Sequence, residues 1–181
     1  MFSADSKILQ RVAQEIQRVL VVDPAPAAAR LLGDLAKDMG ARQVVTTGRT
    51  DAALAITQDF DPQLILIEFA GPDLDGLDFT RRLRRSAMSA RMAPVIMITA
   101  EATAASIVGA RNAGVHEFLR KPYTAGDLFR RVENVALKPR PWIEAVMYVG
   151  PDRRRFNSGE FAGSKKRRSD AFLAAEAGKA G

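Results

Sequence analysis

The chain has 181 residues, 47% of them hydrophobic, which suffices for one domain of ordinary size with an extension and is short for two. With no cysteine and a single histidine, His116, it excludes disulfides, thiolate catalysis, thiolate metal sites and a histidine metal cluster within one chain. The net charge of +6 is uneven, since residues 1–137 carry 17 basic and 16 acidic side chains while residues 138–181 carry 10 and 5.

No apolar run approaches the length of a membrane span, and the N-terminus lacks the basic, apolar and small-residue series of a signal peptide. A soluble, cytoplasmic protein is expected. Ile8, Leu9, Val12, Ala13 and Ile16 recur at helical spacing within residues 4–18 and predict a short amphipathic helix. From there brief apolar runs alternate with amphipathic stretches, the pattern of a parallel sheet wound by helices on both faces.

The runs are Val19-Leu-Val-Val22, Val44-Val45, Leu64-Ile-Leu-Ile67, Val95-Ile-Met-Ile98 and Val115 to Leu119. They predict five strands. Between and after them, Leu31, Leu35 and Met39, then Ala52 to Ile56, then Phe79, Leu83 and Ala87, then Ala104, Ile107 and Val108, then Leu128, Val132 and Val135 are each expected on one helix face. In the third of these helices, about residues 78–89, Arg81, Arg82, Arg84 and Arg85 read as a solvated basic face. Past Leu137, Lys138-Pro-Arg-Pro141 breaks the pattern; Trp142 to Val149 reads as one strand or a docked segment, and little apolar periodicity follows. The predicted organisation is a helical extension at 1–17, one α/β domain at 18–137 and a basic, largely flexible tail at 138–181.

In open parallel sheets, ligands bind beyond the carboxyl ends of the strands. Those ends carry Asp23, Glu68, Thr99-Ala100 and Lys121-Pro122. Two acids, a hydroxyl and a lysine converging there would form a polar pocket suited to an acidic group or its phosphorylated form. The segments Val-Leu-Val-Val-Asp23, Leu-Ile-Leu-Ile-Glu68-Phe-Ala-Gly-Pro72-Asp-Leu-Asp-Gly76, Pro94-Val-Ile-Met-Ile-Thr99-Ala, Ala113-Gly and Phe118-Leu-Arg-Lys121-Pro122 occur in this order.

With them the sequence resembles the receiver domain of two-component response regulators, the chemotaxis regulator included, over about residues 18–137. The resemblance implies a doubly wound, flavodoxin-like (βα)₅ fold with parallel strand order 2-1-3-4-5. It implies a phosphorylatable aspartate after the third strand, and it places Lys121 as the pocket lysine, ahead of a peptide bond that is usually cis.

Two departures bear on function. Glu68 stands at the phosphoacceptor position, and Pro24 stands where the second member of a magnesium-holding acidic pair is implied. Proline removes an oxygen ligand, and the longer glutamate displaces its carboxylate by roughly one bond, about 1.5 Å. Positioning errors of about 1 Å can cost large factors in rate. Conventional Mg²⁺-dependent phosphotransfer is therefore not expected; no cofactor is, and any metal would have only Asp23 and Glu68. Glu68 either fills a vestigial pocket or acts as a fixed negative charge paired with Lys121. Asp73 and Asp75 read as loop-capping groups.

Phe118 occupies the position where the resemblance implies an aromatic switch residue, and it is either that or a packed edge-strand aromatic. His116 reads as a solvated or hydrogen-bonded surface residue. In the tail, Arg153, Arg154 and Arg155 beside Phe156, and Lys165, Lys166, Arg167 and Arg168, could bind an anionic ligand such as cyclic di-GMP or nucleic acid, or could serve as a solubilising tail. The expected function is that of a stand-alone, non-enzymatic pseudo-receiver, signalling through protein contacts at the face of the receiver's fourth helix, fifth strand and fifth helix. The rival reading is a conventional phosphorylated receiver in a phosphorelay.

Overall fold

Branched, apolar runs too short to form helices become strands, and the longer amphipathic stretches between them cover the sheet. The computed structural model describes residues 6–154. Helix α1 (Ser6–Glu15) precedes β1 (Arg18–Val22), α2 (Pro26–Asp38), β2 (Gln43–Thr47), α3 (Thr50–Phe60) and β3 (Leu64–Ile67). A two-stranded turn of β4 (Ala70–Gly71) and β5 (Leu74–Asp75) leads into α4 (Gly76–Arg85) and a 3₁₀ turn at Ser89–Met92. Then come β6 (Val95–Thr99), α5 (Ala104–Ala113), β7 (Glu117–Arg120), α6 (Ala125–Leu137) and a hairpin of β8 (Trp142–Ala145) and β9 (Tyr148–Pro151).

The main sheet has order β2-β1-β3-β6-β7, all parallel, which is the 2-1-3-4-5 arrangement expected. Its pleat divides the core. Val19, Val21, Leu64, Leu66, Ile96 and Ile98 point to one side with α1, α2 and α6, whereas Leu20, Val22, Ile65, Ile67, Val95 and Met97 point to the other with residues of α3, α4 and α5. Strands β3 and β6 are buried along their whole length, as expected of central strands covered on both faces.

Several expectations are corrected. Helix α2 buries Ala29, Leu32, Gly33 and Ala36, so Leu31 is 54% exposed and not on the core face. Helix α5 packs through Ser106, Ala110 and Ala113, small residues that allow close approach to the sheet, and leaves Ile107 and Val108 exposed. Helix α4 ends at Arg85, before Ala87, and the fifth strand of the sheet starts at Glu117, after Val115.

The largest correction concerns the basic run on α4, because Arg84 is buried rather than solvated. Its Nε donates to the Gly114 carbonyl at 3.0 Å, and Nη1 donates to the carbonyls of Arg91 at 2.6 Å and Ala93 at 3.0 Å. Nη2 lies 3.2 Å from His116 Nδ1. His116, read from sequence as a solvated or hydrogen-bonded surface residue, is half-buried and hydrogen-bonded, and the same Nδ1 faces the Val95 N–H at 3.2 Å. Burial pushes the Arg84 guanidinium down to about 9, which leaves it charged at neutral pH, and burial with the charges of Arg84 and Arg140 holds His116 well below the usual histidine value. A neutral His116 is therefore the acceptor its two donors require.

This fastener also seats the β8–β9 hairpin, formed where Trp142 to Val149 reads from sequence as one strand or a docked segment. Trp142 lies with the Arg84 and Arg91 guanidinium carbons 5.4 and 6.0 Å from its ring centroid, and Glu144 accepts from both Trp142 Nε1 and Arg91. At Gly114 (φ +97°) an added Cβ would sit 3.0 Å from the Val149 carbonyl and from Arg84 Cγ, so the backbone approach needs glycine there.

Replacing Arg84 by Leu strands three carbonyls and removes one of the two donors facing His116 Nδ1, so the chain should lose about 3 kcal/mol or more. The emission of Trp142, the single tryptophan, should shift red as the hairpin loosens; unchanged melting and emission would show that Arg84 does not hold it. Because His116 has a depressed pKa in the folded chain, the unfolded chain takes up the proton first as pH falls below the ordinary value of 6.5. Stability present above that pH should thus decline below it, and the slope of melting temperature against pH should be shallower in His116→Gln; equal slopes would exclude His116 as the group.

Candidate functional site

Parallel register brings the C-terminal ends of the strands to one rim. The Asp23 N–H donates to Thr47 O at 2.9 Å, the Glu68 N–H to Val22 O at 2.8 Å, and the Lys121 N–H to Thr99 O at 2.8 Å. Each pocket residue thus continues a strand ladder by one step. Asp23 and Thr99 are buried, with 4% and 3% exposure.

Lys121 Nζ bridges the two acids, at 2.7 Å from Glu68 Oε2 and 3.0 Å from Asp23 Oδ2. The remaining carboxylate oxygens are also engaged: Asp23 Oδ1 accepts the Ala25 N–H at 2.8 Å, and Glu68 Oε1 accepts the Phe69 N–H at 2.7 Å. Burial by itself would lower the Lys121 ammonium, but hydrogen bonds and charge from Glu68 and Asp23 outweigh it and raise its pKa. Thr99 Oγ1 accepts from the Glu101 N–H at 3.1 Å, which turns the β6–α5 connection at the rim. The Lys121–Pro122 peptide is cis.

Pro24 fills the place beside Asp23. A Cβ on Gly71 would lie 2.5 Å from Pro24 Cγ, so the β4–β5 turn closes directly over the proline ring. The residues do not fit a divalent cation. All four carboxylate oxygens already face N–H or ammonium donors, Pro24 offers no side-chain oxygen, and no group of three or more potential ligands gathers among the described residues.

Sequence reasoning missed that these oxygens are saturated by local donors and that Gly71 packs on Pro24. Asp23-Pro24 ahead of a helix was the available signal, since an aspartate readily accepts from the N–H two residues on. Asp75 caps α4, accepting the Asp78 N–H at 2.8 Å. Phe118, paired in register with Met97, packs half-buried against the α3–α4–α5 side of the core. The predicted arginine run is divided: the Arg153 guanidinium lies 4.3 Å from the Tyr148 ring centroid and bonds Asn112 Oδ1 at 2.6 Å, while Arg154 is exposed. Arg155, Lys165, Lys166, Arg167 and Arg168 lie outside the described residues.

A family model described as the response regulator receiver domain matches residues 19–133. The chain belongs to the response-regulator receiver family. It contains the receiver domain of a response regulator of two-component signalling. Chemotaxis protein CheY-3 of Vibrio cholerae is 25% identical to this receiver over 127 residues, covering 70% of the chain and 97% of the relative. Chemotaxis protein CheY of Pseudomonas aeruginosa is 27% identical over 118 residues, covering 65% and 94%. Among solved structures, a response regulator from Chloroflexus aurantiacus, described as putative, aligns with a TM-score of 0.63 at 23% identity over 68% of the chain and 99% of its own.

Lys121→Met would leave two carboxylates facing each other without their shared cation. Allowing for partial exposure, it should cost about 2 kcal/mol at neutral pH. Because the Lys121 pKa is raised in the folded chain, the stabilisation should be present below the ordinary lysine value of 10.5 and fade above it. Denaturant melts of both proteins at neutral and alkaline pH check this, and a constant gap between them would refute it.

Proposed function

We propose that this receiver is a non-enzymatic, cytoplasmic signalling module whose pocket is held in one charge state instead of being switched by phosphoryl transfer. The observation that carries the reading is the Lys121 ammonium seated between Glu68 and Asp23. The Glu68 carboxylate gives the lysine a permanent anionic partner where the resemblance implies a phosphorylatable aspartate. Pro24 supports the same reading, because it occupies the position of a metal-holding acid with an apolar ring.

Output passes through protein contacts on the face of α5, β7 and α6, the counterpart of the face predicted from sequence. Ile107 and Val108 on α5, 44% and 53% exposed, offer apolar surface there, and Phe118 underlies it. The tail beyond Arg154 adds affinity for an anionic partner, cyclic di-GMP being the dinucleotide candidate. None of the described helices is long and apolar enough to cross a membrane.

Incubation with acetyl phosphate and Mg²⁺, read by intact-mass spectrometry, tests the reading. The natural chain should gain no acid-labile phosphoryl group, whereas Pro24→Asp combined with Glu68→Asp should gain one. An acid-labile mass increase on the natural chain would establish conventional phosphorelay chemistry in its place.

A further inference from the structure

The opposite end of the sheet holds a second concavity, of about 1020 Å³, at the N-terminal ends of the strands. Gln63, Pro94 and His116, which precede β3, β6 and β7, form its floor, and the end of α6 with the segment entering β8 forms a wall. Nothing in the receiver chemistry described above uses it.

Its lining is rich in cations. Arg131, Lys138, Arg140 and Arg154 all face it. Glu117 is shared, at 3.2 Å from Arg131 Nη1 and 3.1 Å from Arg140 Nη2, so one carboxylate stands between two guanidinium groups. Of the other acids in the lining, Asp61 is already engaged by Arg18 at 3.0 Å and by the Ser89 hydroxyl at 2.6 Å, which leaves Glu15. Lys138 and Arg154 are exposed.

A further positive charge lies behind the wall. Arg84 gives its hydrogen bonds to three carbonyls and to His116, so no carboxylate among the described residues pairs with it, and it sits against Trp142, which lines the cleft. A buried cation without a counter-ion raises the potential of a nearby concave surface, where low-dielectric walls focus it. Guanidinium forks match phosphate oxygens bidentately, and the volume is at the upper end of those that hold small ligands.

We propose that this cleft binds a small, multiply charged phosphate-bearing molecule, recognised by Arg131, Lys138, Arg140 and Arg154. It is a site distinct from the Asp23–Glu68–Lys121 rim, and it does not depend on whether that rim is phosphorylated.

Calorimetric titration of the full chain with pyrophosphate, ATP and adenosine tests it, alongside Lys138→Glu combined with Arg154→Glu. Both positions are exposed, and the double variant should melt like the natural chain. Pyrophosphate or ATP should bind; the double variant should weaken binding about tenfold or more, and alanine at Lys165, Lys166, Arg167 and Arg168 together should change it by about twofold or less. Binding of pyrophosphate alone identifies the phosphates as sufficient, and binding of ATP alone adds the base to the recognition. No binding by either, adenosine binding as well as ATP, or loss in the tail variant but not in the cleft variant would overturn the proposal.

Discussion

One ammonium group, Lys121 Nζ, closes the carboxyl rim of the sheet by facing Glu68 and Asp23 at once. Two carboxylates held close together in a partly dry pocket repel each other and lose hydration, and only a shared cation makes their proximity tolerable. The rim around it follows from that requirement. Asp23 turns its other oxygen to the Ala25 N–H at the start of α2, Glu68 turns its other oxygen to the Phe69 N–H, and the β4–β5 turn folds down on Pro24. Every oxygen of the two carboxylates thus faces a donor supplied by the chain itself.

The two ends of the sheet solve opposite electrostatic problems. At the carboxyl end, acids are in excess and are satisfied by one lysine. At the amino end the excess is basic: Arg84 is buried among carbonyls and a neutral histidine, and Glu117 serves both Arg131 and Arg140. Arg84 is also mechanical. It joins α4, the turn before β6, the start of β7 and the β8–β9 hairpin in one set of hydrogen bonds and ring contacts, so the hairpin is part of the domain's packing rather than an appendage.

Strand existence was legible because the central strands are brief runs of branched residues whose two faces are both apolar, while the strand order was implied by the family resemblance. Helix faces were less legible. In α5 the residues that meet the sheet are Ser106, Ala110 and Ala113, whose small size suits close packing but gives a weak apolar signal, while the stronger signal of Ile107 and Val108 belongs to the exposed side. The same ambiguity hid Arg84 in a run of four arginines, one of which turns inward.

The sequence by itself determined the alternating architecture and the placing of Asp23, Glu68, Thr99 and Lys121 at strand ends, because residue type and strand-end position are properties of the chain; the family resemblance marked Glu68 and Pro24 as departures. Only the tertiary structure decided that all four carboxylate oxygens are occupied, that Gly71 packs closely on Pro24, and that Arg84 and His116 fasten a hairpin. Those depend on which groups meet across long stretches of sequence, such as the separation of 98 positions from Asp23 to Lys121. Local periodicity carries no record of such meetings, because the desolvation that makes each contact necessary arises only when the distant segments pack together.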